Sequence, residues 1–213
     1  MRGAAEQADE ADEAFGGTVA CMEVPPHARA GWVGRGHRFA AYPRCSADLR
    51  TRRRMAIQVR EAVPADRPWI RDVISQEWCT PVVVSHGTAH HVDELPGLVA
   101  MDAGEPVGLL TYEINGLQLE VVTLQALERL KGVGRILLEA AKSIARESGC
   151  RRVWLVTTND NTPAQSFFGA VGMRLAMVHR GAVRQSRVLK PEIPSVGLNG
   201  VPIDDDIEFE VAL

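Results

Sequence analysis

Two groups of residues carry recognisable chemistry. The first is Glu120, a carboxylate set inside the apolar run Leu119-Glu120-Val121-Val122-Thr123-Leu124. An acid is expensive to bury without a purpose, and burial raises its pKa toward values useful for taking a proton near neutrality. Glu120 is therefore the candidate general base; the alternative is a solvent-facing position on a half-exposed sheet. The second group is Arg129-Leu130-Lys131-Gly132-Val133-Gly134-Arg135. Glycines at 132 and 134 let a backbone approach phosphate oxygens that a Cβ would obstruct, while Arg129, Lys131 and Arg135 supply positive charge. If a helix starts here, its first N–H groups and the positive end of its dipole suit a diphosphate.

Other phosphate sites fit less well. A dinucleotide fingerprint wants a third glycine where this chain has Leu137, and no strand–helix–strand unit precedes the loop. A P-loop needs GxxxxGK[ST], which is missing. A tight strand-to-helix turn with surface arginines remains the plain alternative. Asn161, followed by Thr162 and Pro163, has the composition of a helix N-cap. His90, His91, Asp93 and Glu94 are metal-ligand types, but neighbouring residues rarely ligate one ion together, and no other His/Cys cluster is visible in the sequence. No metal is expected. Trp78 is read as a packed residue at a helix end.

The elements that must position these residues alternate from Ile57 onward. A first strand leads through Pro64-Ala65-Asp66 into an amphipathic helix near 66–77, with Asp66 as its N-cap. The stretch from Trp78 to Leu95 reads as a polar loop. Three apolar, β-rich runs follow, Gly97 to Asp102, Pro106 to Ile114 and Leu117 to Leu124, with Asn115-Gly116 as a hairpin signal. A helix from Arg135 to Ser148 turns Ile136, Leu137, Ala140, Ala141, Ile144 and Ala145 to one face, and Gly149 ends it. Arg152 to Thr158 is a buried strand, a helix covers about 162–171, and Gly172 breaks it; two strands near 174–180 and 207–212 complete the order.

The whole chain bounds the remaining classes. Its 213 residues hold 46% hydrophobic and 24% charged residues, enough apolar material for a core. A net charge of −3 gives no reason to expect nucleic acid or an acidic membrane as partner, and no apolar run approaches the ~18 residues of a membrane helix. Four scattered cysteines without a CxxC pair suit a reducing cytoplasm. Residues 1–54 lack apolar periodicity and end in Arg52-Arg53-Arg54; they are expected to be a disordered extension, with Met55 the candidate true start of a domain over 55–213.

The strand–RxxGxG–helix segment, together with Asn161-Thr162-Pro163-Ala164-Gln165-Ser166-Phe167-Phe168-Gly169-Ala170-Val171-Gly172-Met173, resembles the two signatures of the GNAT superfamily of acyl-CoA-dependent N-acyltransferases. The order of elements from about residue 57 resembles it as well, over roughly three quarters of the chain. The resemblance implies an α/β (α+β) fold with a mixed, mostly antiparallel sheet of six to seven strands flanked by helices. It also implies acetyl-CoA as co-substrate, without a metal.

Carried over by position, the resemblance puts the CoA diphosphate on the amides of Lys131, Gly132, Val133, Gly134 and Arg135, with Arg129 beside it. The pantetheine arm would pair near Leu124 and Gln125 and bond to Asn161. A glutamate on the strand of Glu120 often works through water in the family, although here its spacing to Arg129 is about two residues shorter, a shift that keeps strand parity. Many members have Tyr as the second aromatic, with its hydroxyl near the CoA sulfur. Phe168 has no proton to give, and Ser166, Tyr112 and Thr123 are weak substitutes. The implied activity is transfer of acetyl to a primary amine, of a small molecule before a peptide, and a homodimer is compatible with the sequence. The rival is an acyl-CoA-binding or regulatory module with little or no turnover.

Overall fold

A computed structural model describes residues 57–127 and 132–213. The expected extension over 1–54 lies outside the described residues, as do Arg129 and Lys131. The described chain runs β1 (Gln58–Glu61), α1 (Arg67–Trp78), β2 (Val82–Ser85), β3 (Thr88–His91), β4 (Gly97–Asp102), β5 (Glu105–Asn115), β6 (Gln118–Ala126), α2 (Val133–Glu147), β7 (Arg152–Thr158), α3 (Thr162–Ala170), β8 (Arg174–His179), α4 (Ala182–Leu189) and β9 (Asp206–Ala212).

Seven strands form one sheet in the order β1-β4-β5-β6-β7-β9-β8, while β2 and β3 pair only with each other. Every neighbouring pair in the large sheet is antiparallel except β6 with β7. This is the mixed, mostly antiparallel sheet that the sequence implies. Its two faces are covered separately. Leu119, Val121 and Leu124 of β6, with Val153 and Leu155 of β7, pack against Leu137, Leu138, Ala141, Phe167 and Phe168 of α2 and α3. Leu109 and Val122 pack on the opposite face against Ile70, Ile74 and Trp78 of α1 and Val83 of β2. Each such fully buried side chain contributes about 1.5–3 kcal/mol of transfer free energy.

Local chemistry explains most of the connections. Asp102 pairs with Glu105 across the Ala103-Gly104 turn, where both residues have positive φ (52° and 91°), as a tight two-residue hairpin requires. The same geometry joins β2 to β3 through His86 (φ 52°) and Gly87 (φ 75°). This hairpin corrects the expected polar loop over 78–95: the β-branched run Val82-Val83-Val84 forms a strand whose turn lacks the usual Asn or Asp. Between β5 and β6 the turn is Gly116-Leu117, with Asn115 still paired to Gln118.

Three further expectations are corrected. Asp66 stands at the N-cap position of α1 but its side chain does not cap it; its carboxylate accepts the Val63 N–H at 2.7 Å and pairs with Arg60, because a 3-10 turn over Pro64–Asp66 precedes the helix. The buried stripe of α2 includes Val133, Leu138 and Lys142, while Ile136, Ala140 and Ile144 lie at its partly buried margin. Finally, α4 forms between β8 and the C-terminal segment, anchored by Val183 against Ile193 and Ile203.

Candidate active site

The site is organised by a fork in the sheet. In β6 the register passes from Thr111↔Thr123 to Tyr112↔Val121, which leaves Val122 as an extra residue opposite no partner. Such a bulge bends its strand and increases local twist. On the other side, β6 pairs with β7 only over Gln118–Glu120, the last pair being Glu120↔Trp154. Beyond that pair the strands run apart. Leu124 and Gln125 lie past this point on β6, paired with β5 on its other side.

At the end of this strand the chain enters α2. Gly132 is its N-cap with φ 96°, a left-handed conformation that glycine adopts without a Cβ penalty. The first intrahelical bond runs from the Ile136 N–H to the Gly132 carbonyl at 3.0 Å, so the amides of Val133, Gly134 and Arg135 precede the ladder. No side chain caps them among the described residues. Val133 itself is fully buried in the core, so only its backbone is available to a ligand, and Arg135 is partly exposed. The close approach of sheet and helix depends on Gly108, where a Cβ would collide with Val133 Cγ1 and stand 3.0 Å from the Gln125 carbonyl.

On the far arm of the fork, Asn161 caps α3 by accepting the Ala164 N–H at 3.3 Å. The nearby Thr157 hydroxyl is buried and has no hydrogen-bond partner among the described residues. Phe168 is buried, packed against Phe167 and Phe209 with ring centroids 5.5 Å away in each case. Of the substitute proton donors, Thr123 shares a hydrogen bond with Thr111 at 2.7 Å, and Ser166 donates to the Thr162 carbonyl. Leu124 is part of the core, and Gln125 is buried on the opposite face, donating to Glu77 at 3.4 Å. Trp78 is a core residue, as read from the sequence.

Glu120 sits at the vertex of the fork. It is half-buried, and the Ser85 hydroxyl donates to its Oε1 at 2.5 Å. Burial raises its pKa, against the Ser85 hydrogen bond and the attraction of His90 and His86. The β2–β3 hairpin thus supplies the immediate surroundings of the carboxylate. His90 is 6% exposed, its Nδ1 lies 3.5 Å from Glu113, and its Nε2 has no partner among the described residues.

Farther along the same face, His86 packs edge-on against Trp154 and His179, at centroid distances of 5.3 and 4.2 Å. Glu208 accepts from His179 at 2.8 Å and from Arg152 at 2.9 Å. Burial opposes its ionisation, but these hydrogen bonds prevail and hold its carboxyl below the ordinary range. Asp206 is pushed up to about 6 by burial, against the nearby His86 and His179. The acidic C-terminal run is therefore only partly solvated, since Asp205 also accepts the Gly181 N–H.

Sequence reasoning missed this constellation. Ser85, His86, Glu113, His179, Asp206 and Glu208 come from four strands and one turn, with no common motif. The quartet that drew attention does not converge: Asp93 pairs with Arg71 at 2.5 Å, and His91 faces outward. Two other groups bring potential ligand atoms within 4.8 Å of one another, His86 with His179 and Glu208, and His90 with Glu113 and Glu120.

Comparison with known proteins agrees with this architecture. The uncharacterised protein YdhI of Bacillus subtilis (strain 168) is 38% identical over 141 residues, covering 66% of this chain and 88% of that protein. A second uncharacterised protein of the same organism, YxbD, is 34% identical over 142 residues, covering 64% and 89%. Among solved structures, the IAA acetyltransferase of Bacillus cereus ATCC 14579 superposes with a TM-score of 0.57 at 15% identity, over 74% of this chain and all of the other. A Bacillus subtilis acetyltransferase in complex with CoA gives 0.55 at 15% identity, over 74% and 99%. At such identities the superpositions establish the fold. The model of the acetyltransferase (GNAT) family matches residues 59–173, more than half of the sequence, and the chain belongs to that family.

Proposed function

We propose that this protein transfers the acetyl group of acetyl-CoA to a primary amine, that of a small molecule. The observation that carries this reading is Glu120, a half-buried carboxylate at the point where β6 and β7 part. A thioester threaded into the fork would bring its carbonyl carbon close to that carboxylate. The amides of Val133, Gly134 and Arg135 would receive the diphosphate, and Arg129 and Lys131 would add charge. Asn161 and the β6 edge at Leu124 and Gln125 would hold the pantetheine arm. Structures of the same fold bound to CoA or acetyl-CoA support acetyl-CoA as the co-substrate.

In the reaction the amine nitrogen attacks the thioester carbon, and Glu120 takes the proton the nitrogen loses, directly or through water. The tetrahedral oxyanion is stabilised by backbone N–H groups on that edge of β6, and the C–S bond then breaks. The departing thiolate takes its proton from solvent, since Phe168 has none to give. Holding two reactants in register supplies much of the acceleration, so a strong acid is not required. The histidine- and carboxylate-bearing face under the β2–β3 hairpin is where the acceptor approaches.

One observation favours a second reading: Phe168 is an apolar core residue, and Thr123 and Ser166 spend their hydroxyls on protein partners. A module that binds acyl-CoA without turnover would need no proton donor. Free thiol released from acetyl-CoA over a panel of small and peptidic primary amines separates the two. Amine-dependent release supports transfer; saturable acetyl-CoA binding with no release for any amine supports the binding module.

A further inference from the structure

Beside the fork, on the face where the acceptor approaches, lies a group to which the chemical steps of acetyl transfer assign no role. His86 Nε2 is 3.5 Å and His179 Nε2 2.8 Å from the same oxygen, Oε2 of Glu208. The other Glu208 oxygen is held by Arg152 at 2.9 Å, and Arg152 is itself neutralised by Glu210 at 2.7 Å. Oε2 is thereby fixed toward the two imidazoles. The three residues come from the β2–β3 turn, the end of β8 and the middle of β9, and their ligand atoms lie within 4.8 Å of one another.

An independent feature points to a cation at the same place. Asp206 sits two residues before Glu208 on β9, hence on the same face, and pairs with His179 in the ladder. It is 7% exposed. A largely buried carboxylate is costly unless water, hydrogen bonds or nearby positive charge compensate it.

We propose that His86, His179 and Glu208 form a site for a divalent transition metal of the zinc class, with the Asp206 carboxylate beside it on β9. Two imidazoles with carboxylates suit zinc, cobalt or nickel better than magnesium or calcium, which prefer oxygen alone. Ligand atoms around a tetrahedral zinc stand about 3.4 Å apart, given bonds near 2.1 Å. The His86 separation already has that value, and the His179 pair opens by about half an ångström to admit the ion. The bound ion ties the hairpin turn to the far edge of the sheet. His86 follows Ser85, which holds Glu120, so the ion also steadies that hydroxyl. The expectation of no metal rested on His90, His91, Asp93 and Glu94; this site uses different residues, brought together only by the fold.

The test uses the full untagged chain stripped with a chelator, and does not depend on acetyl transfer. Titration with Co2+ should give the visible bands of a tetrahedral ion at one equivalent per chain, and Zn2+ should displace it. Zn2+ should also raise the melting temperature of the stripped protein. His179→Gln and, separately, His86→Gln at the partly exposed turn should each weaken binding at least about tenfold and abolish the zinc-dependent shift. Their melting temperatures without metal should match that of the stripped wild type. His90→Gln, in the neighbouring cluster, should leave binding unchanged. Failure to bind near one equivalent would overturn the proposal, as would full binding by both His86→Gln and His179→Gln, or loss of binding in His90→Gln alone.

Discussion

Glu120 combines two demands that oppose each other. Burial makes its neutral form the cheaper one, so the folded chain holds this proton more tightly than the unfolded chain. Its contribution to stability is therefore greatest below the ordinary carboxylate pKa and declines as pH rises through the raised value. Proton abstraction needs the ionised form, so activity grows over the same window in which stability declines. Glu120→Gln should lower kcat by about 10²–10⁴-fold, leave acetyl-CoA affinity unchanged and not lower the melting temperature at neutral pH. Ser85→Ala removes a hydrogen bond that favours the carboxylate, and should move the acidic limb of the kcat/KM profile to higher pH. Phe168→Tyr places a hydroxyl in packing that contains Phe167 and Phe209. It should destabilise the protein by about 1–3 kcal/mol in thermal unfolding, without raising kcat.

At the scale of elements, the site depends on how closely α2 approaches the sheet. Gly108 in β5 leaves room for Val133 and Leu137, two buried residues near the start of that helix. Gly108→Ala should cost about 1–3 kcal/mol through overpacking and displace the helix start, weakening CoA binding in calorimetry more than it lowers the melting temperature would suggest. Most elements near the cradle were legible because their signals are local: Asn161 caps its helix, Gly149 has φ 74°, and Asn115-Gly116 lies at a hairpin. The bulge at Val122 was not, because the extra residue shows only in the pairing with β5. The β2–β3 hairpin was hidden by its turn, where His86 takes a positive φ that sequence reading assigns to Asn or Asp. The eight-residue helix Ala182–Leu189 buries only Val183 and Ser186, too few positions for a period to be read.

Across the whole molecule the two halves of the site are encoded differently. The residues proposed to hold the cofactor lie in two continuous segments, 129–135 and 161–173, so their spacing could be matched as motifs. The residues proposed to face the acceptor are spread from Ser85 to Glu208 and meet only because the hairpin folds over β6, β7 and β9. That arrangement ties ligand occupancy to global stability: acetyl-CoA at a hundred times its Kd should stabilise the chain by about 2.7 kcal/mol, seen as a rise of several degrees in melting temperature. Acetyl transfer dependent on Glu120 is tested by incubating the protein with acetyl-CoA and an amine panel, then quantifying acetylated amine by mass spectrometry alongside free thiol. Equal amounts of acetylated amine and thiol, both lost in Glu120→Gln while its acetyl-CoA binding persists, are the predicted result. Thiol released without acetylated amine, or equal turnover by Glu120→Gln, would contradict it.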